Sequence, residues 1–142
     1  MNGLRRVALA LGLVLATAAV LEIGCASHSA LPPIATGPYA GPPLGLDGSG
    51  QSFVVVVHSP TPGWVVTLDR VAEQYRHQAV FVTLRRPNPA FLYAQVQVEQ
   101  RVGTSVASSE AVKVYARVLR HDEPATDQPY SQAAATLGNK RE

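Results

Sequence analysis

The chain has 142 residues, with twelve Lys and Arg against ten Asp and Glu, a formal charge of +2. That length is room for one domain and its appendages, and the charge is too slight and too scattered for a nucleic-acid-binding arm. A single cysteine, Cys25, excludes an internal disulfide and any multi-cysteine zinc site.

Four zones separate by composition. Arg5 and Arg6 precede Val7–Leu21, fifteen residues with no charge, and Gly24 stands immediately before Cys25. A basic stretch, an apolar stretch and a small residue make the layout of a secretory signal, so residues 1–24 are predicted as a signal helix. Leu21, Ile23, Gly24 and Cys25 resemble the lipobox of bacterial lipoproteins, in which the cysteine after the cut receives the lipid. Glu22 departs from that pattern, at a position where a carboxylate is costly in the membrane. The resemblance implies a membrane anchor on Cys25 and a place in the bacterial cell envelope, the outer membrane in a Gram-negative cell. Two other outcomes stay open: ordinary cleavage after Ala26, and a retained N-terminal anchor. The apolar run is short for a full span of about 20 residues.

Residues 25–50 carry Pro32, Pro33, Pro38, Pro42 and Pro43 together with five glycines. Such a stretch buries too little apolar area to order itself, and a disordered Pro/Gly-rich tether is predicted.

Residues 51–120 read as the folded domain. Phe53–Val57 is a continuous apolar run, short enough for a buried strand. Ser59-Pro-Thr-Pro-Gly63 stops it. Trp64, Val66 and Leu68 then alternate with Val65, Thr67 and Asp69, the period of a half-buried strand. Ala79–Leu84 is β-branched and aromatic, and Pro87-Asn-Pro89 breaks it. Phe91–Val102 alternates over the longest stretch, with Gly103 as its end or a bulge. Thr104–Ala107 adds a short strand, and Val112–Leu119 alternates again. The economical architecture is all-β, a small antiparallel β-sandwich of five or six strands. Residues 121–142, rich in Pro, Ala, Thr, Gln and Ser, are predicted as a disordered tail.

The domain segment holds eight basic residues against four acidic ones. His28, His58, His77 and His121 are scattered, with no spacing that pairs them on a metal. No nucleophile elbow occurs. Gly45–Gly50 is glycine-rich, but no strand precedes it and no lysine follows, so it is no phosphate cradle. No catalytic residue, metal site or cofactor is expected, and the chain reads as a non-enzyme. Recognition is the better reading. Pro60, Thr61, Pro62, Gly63 and Trp64 place the only tryptophan beside a rigid turn, where it either anchors a partner or fills the core. Tyr93 and Tyr115 fall on the faces opposite the valines.

The Pro60-Thr-Pro-Gly-Trp64 turn, the alternating strand after it, the Val80-Phe-Val-Thr83 strand and the Pro87-Asn-Pro89 break resemble the PrcB-type protease-complex subunit domain. That resemblance spans residues 53–98 and implies an accessory lipoprotein that associates with a surface protease. The same turn is similar to the binding loop of chagasin-type cysteine-protease inhibitors, although Ser59 replaces the asparagine there and the second inhibitory loop is lacking. The leading expectation is a lipid-anchored envelope protein that binds a protein partner. The alternative is attachment to anionic lipid or envelope polymer through Arg85, Arg86, Arg101 and Arg117.

Overall fold

The computed structural model describes residues 30–126 and 128–137. The signal segment 1–24 and Cys25 lie outside them. Seven strands follow in chain order: β1 (Leu44–Asp47), β2 (Ser52–Ser59), β3 (Val65–Gln74), β4 (His77–Arg85), β5 (Val98–Ala107), β6 (Val112–Leu119) and β7 (Ser131–Thr136). They form a three-stranded sheet, ordered β1-β2-β5, and a four-stranded sheet, ordered β3-β4-β6-β7. No helix occurs among the described residues. The all-β class is therefore observed, with more strands than expected.

Alternation builds one core between the sheets. Phe53, Val55 and Val57 of β2 meet Val80, Val82 and Leu84 of β4 and Val112, Val114 and Ala116 of β6. Each fully buried Val or Leu contributes about 1.5–3 kcal/mol. Trp64, Val66 and Leu68 pack against the margin of this cluster, as their spacing predicts.

Three sequence expectations are corrected. The first concerns the flanks. Leu44–Asp47, inside the predicted tether, pairs antiparallel with β2, and Leu44 and Leu46 pack on the core. Ser131–Thr136, inside the predicted disordered tail, pairs antiparallel with β6, and Ala133 and Ala134 reach the same core. Composition misleads here because ladder hydrogen bonds are made by the backbone. A weakly apolar segment can cap a strand edge that would otherwise stay open.

The second concerns strand direction. β4 and β6 are parallel, from Gln78↔Val112 to Arg85↔Leu119. After β4 the chain crosses to the other sheet as β5 and returns to lie beside β4. Parallel pairing suits a strand covered on both faces, and Ala79 to Leu84 of β4 are all buried.

The third concerns Phe91–Val102, which is not one strand. Residues 86–97 form a loop, and β5 runs from Val98 through Gly103 to Ala107. Asn88 sets the loop: its side-chain oxygen accepts the Ala90 N–H at 2.9 Å and its carbonyl accepts the Phe91 N–H at 3.1 Å. The ladder cannot begin earlier, because Val98 pairs with Ser59 and the next residue on that side is Pro60.

The outer face of the four-stranded sheet has a small core of its own. Phe81, wholly buried, stacks on Tyr115 with ring centres 5.3 Å apart. It also meets Tyr130 edge-on at 5.2 Å. Tyr115, on the face opposite the valines, is thus buried. The register slips between Leu68 and Arg70, so Asp69 is the extra residue of a bulge. The bulge brings the Asp69 carboxylate to this face, where the Thr83 hydroxyl donates to it and the Tyr130 hydroxyl donates at 2.9 Å. Arg117 closes the network: its Nε donates to Thr83 at 2.8 Å and its guanidinium lies 4.3 Å from the Tyr130 ring centre. Burial pushes the Tyr130 phenol above its usual pKa. The chain from Ala30 crosses this face, and Ile34 bridges to Tyr130.

Candidate functional site

The start of β3 and the end of β4 lie at one end of the sheet, and the Pro60–Trp64 turn is there. His58 is the next-to-last residue of β2, and its N–H donates to the Pro43 carbonyl at 2.9 Å. That bond draws residues 40–43 alongside the turn. Arg86 leaves β4 with its N–H on the Leu119 carbonyl at 2.9 Å. An open groove of about 780 Å³ results, lined by Pro42, Pro43, His58, Pro60, Trp64, Arg86, Pro87 and Gln97, with Ala40 and Gly41.

Five residues were expected to bind a partner. Pro60 and Trp64 line the groove. Pro62 is exposed, and Gly63 lies against Tyr93, whose ring a methyl group at position 63 would overlap. Thr61 is half-buried, with its hydroxyl shielded and without a hydrogen-bond partner. Trp64 answers to both readings of it. Part of the residue packs against the central cluster, and part borders the groove. Its carbonyl accepts the Gln100 amide at 2.9 Å, and that amide also reaches the buried Ser59 hydroxyl at 3.2 Å.

Sequence reasoning missed Pro42, Pro43, Pro87, His58, Arg86 and Gln97 as parts of one site. They come from three separate segments. The only available signal was the proline pairs, which mark where the chain turns and say nothing of what the turns face.

Four prolines and the tryptophan make the apolar part of the walls rigid, because proline and a packed tryptophan lose little freedom when a ligand arrives, and His58, Arg86 and Gln97 supply the polar part. Gly41 keeps the wall thin: a methyl group there would overlap Tyr39 and Val118. The Tyr39 hydroxyl donates to the Pro42 carbonyl at 3.0 Å, and burial pushes its pKa up to about 12. Arg86 is the cation at the rim, and no carboxylate lines the groove. Glu99 pairs with His58 across the strands, but Arg101 holds it at 3.0 Å. Among the described residues no three His, Cys, Asp or Glu side chains gather as a metal site.

The four arginines considered for adhesion are unequal. Arg85 donates to the carbonyls of Arg120 and Glu123, at 3.3 and 2.6 Å. Arg101 pairs with Asp47 and Glu99. Asp47, which accepts the Ser49 N–H and lies against Arg101, has its pKa lowered to about 2. Arg117 sits in the outer-face network and donates to the Ala125 carbonyl at 2.7 Å. Three of the four are thus engaged within the fold, and Arg86 faces the groove. No protein family, curated protein or solved structure matches this chain.

Proposed function

We propose that this is an exported envelope protein, anchored by a lipid on Cys25, whose β domain binds a protein partner without catalysis. The groove is the observation that supports it. A proline-walled trough beside the only tryptophan, with polar groups at His58, Arg86 and Gln97, suits an inserted apolar or aromatic side chain, the kind of contact that dominates binding hot spots. Arg86 would pair with a carboxylate on the partner. Phe91, Leu92 and Val96 are exposed on the loop that ends at Gln97, and Val65 is exposed beside Trp64. Exposed apolar side chains grouped beside a groove are the usual mark of a protein contact. The turn resemblance points to an envelope protease complex as the partner's class.

A photo-crosslinker placed at exposed Pro62 tests the groove. It should trap one envelope protein, and Trp64→Ala should weaken that complex by tenfold or more in a chain that still melts cooperatively. Equal trapping from Tyr75, at the opposite end of β3, would refute the site. The anchor has its own test. Cys25→Ala should move the protein from the membrane to the soluble fraction, and unchanged fractionation would refute lipidation.

A further inference from the structure

The opposite end of the four-stranded sheet carries a second concavity, of about 710 Å³. It shares no residue with the proline groove. Ten residues of β3 separate the two ends by about 33 Å. Tyr75 and Arg76 form the β3–β4 turn here, His77 opens β4, Lys113 lies near the start of β6, and Leu137 follows β7. Alternation puts His77, Lys113 and Ala135 on the outer face, since Ala79 pairs with Lys113 and Lys113 with Ala135.

Two facts set this end apart. Tyr75 is 98 % exposed and Leu137 91 %, so two large apolar side chains project into solvent beside one hollow. Arg76 and Lys113 have no carboxylate partner among the described residues. Glu73 and Glu110 line an adjoining depression that shares Tyr75, Arg76 and His77 with this one, yet neither forms an ion pair with Arg76 or Lys113, and Glu73 falls on the inner face by alternation. Burial first and the Lys113 charge second push the His77 pKa down.

The path of the chain gives this end a direction. Arg70 holds the Ala30 carbonyl at 3.2 Å on the same outer face. Ala30 is five Cα-to-Cα steps from Cys25, a reach of at most about 18 Å. From Ala30 the chain runs past Tyr130 towards the groove. An anchor on Cys25 would therefore keep the outer face near the bilayer rather than hold the domain at the end of a long tether.

We propose that the Tyr75–His77 turn, with Lys113 and Leu137, docks on an anionic lipid surface. Tyr75 and Leu137 enter the interface, and Arg76 and Lys113 meet the headgroups. An exposed tyrosine and leucine flanked by cations without ion pairs are the combination that interfacial binding uses. The orientation rests on the lipid-anchor reading above, whereas the surface itself does not. The proline groove would then face away from the membrane, open to a partner.

Vesicle sedimentation tests this with residues 26–142, which contain the whole described fold and lack both the signal and the lipid site. Binding should be stronger to phosphatidylglycerol-containing vesicles than to pure phosphatidylcholine vesicles. Arg76→Gln and Lys113→Gln should each lower the partition coefficient about fivefold, one kcal/mol per cation near the surface. Tyr75→Ser with Leu137→Ser should weaken binding at every lipid composition. Arg86→Gln, at the far end, should leave vesicle binding at its natural level. Equal binding of the Arg76→Gln/Lys113→Gln protein would overturn the proposal. So would an equal loss from Arg86→Gln, which would mean diffuse charge, or capture of monomeric dodecanoate with no vesicle binding. Cys25→Ala fractionation reads the anchor separately, so either reading can fail without the other.

Discussion

The inner face of the four-stranded sheet is made from residues two apart on one strand, Val80, Val82 and Leu84, and from Val112, Val114 and Ala116, likewise two apart, on the next. The outer face of the same sheet is closed differently. Phe81 and Tyr115 are covered by Tyr130, which arrives only after the chain has passed β6 and turned back. One face is a local pattern. The other exists only when a distant segment returns to it.

That contrast predicts the largest effect. Residues 51–120, the domain that composition outlines, lack β1, β7, Tyr130 and the Ile34 segment. Without them β2 and β6 lose their edge partners and Phe81 loses part of its cover. This fragment should show no cooperative thermal transition and should bind hydrophobic dyes. Residues 30–137 should melt in one step. A cooperative melt from the 51–120 fragment would mean that the inner face alone specifies the fold.

The same contrast explains what could be read in advance. Period-two runs located β3 and β6, and unbroken apolar or β-branched runs located β2 and β4, because burial of one face leaves an alternation and burial of both leaves a continuous run. The Phe91–Val102 run carried the same signal and failed, since a strand needs a neighbour and Pro60 removes it. β7 gave no signal. Ser-Gln-Ala-Ala-Ala-Thr has the composition of a tail, and its pairing with β6 is a backbone matter. At the candidate site, the Pro60–Trp64 turn was legible as a rigid corner. The opposing wall from residues 40–43 was not, because the bond from His58 to Pro43 depends on the fold being complete. The parallel pairing of β4 and β6 was hidden for a similar reason: direction is set by where β5 sends the chain, not by any residue in either strand.

A single side chain sharpens the comparison. Phe81→Ala should cost about 3–5 kcal/mol, as much as a large truncation in the main core, although Phe81 lies on the face away from it. In a Tyr130→Ala background the cost should shrink by about 0.5–1.5 kcal/mol, the aromatic coupling now absent. Chemical denaturation of the four proteins closes the cycle. A Phe81→Ala cost under 1 kcal/mol would show that the outer cluster is packing without consequence.

The smallest expected effect is a titration at the outer-face end of the sheet. Burial first, and the Lys113 charge second, hold His77 below its ordinary pKa. The unfolded chain then binds that proton more tightly than the folded one does. Stability from this group is complete above the unfolded value of about 6.5 and is lost as pH falls through that value toward the lower folded one. Between about pH 7 and pH 5 the melting temperature should therefore decline slightly more in the natural sequence than in His77→Gln. Subtracting the two curves removes His58, His121 and the carboxylates, which both proteins share. Lys113→Gln should narrow that difference only in part, because burial is the larger cause and survives the substitution. A His77 proton resonance titrating at or above 6.5 would contradict the sign, and would mean that a carboxylate approaches this ring in solution.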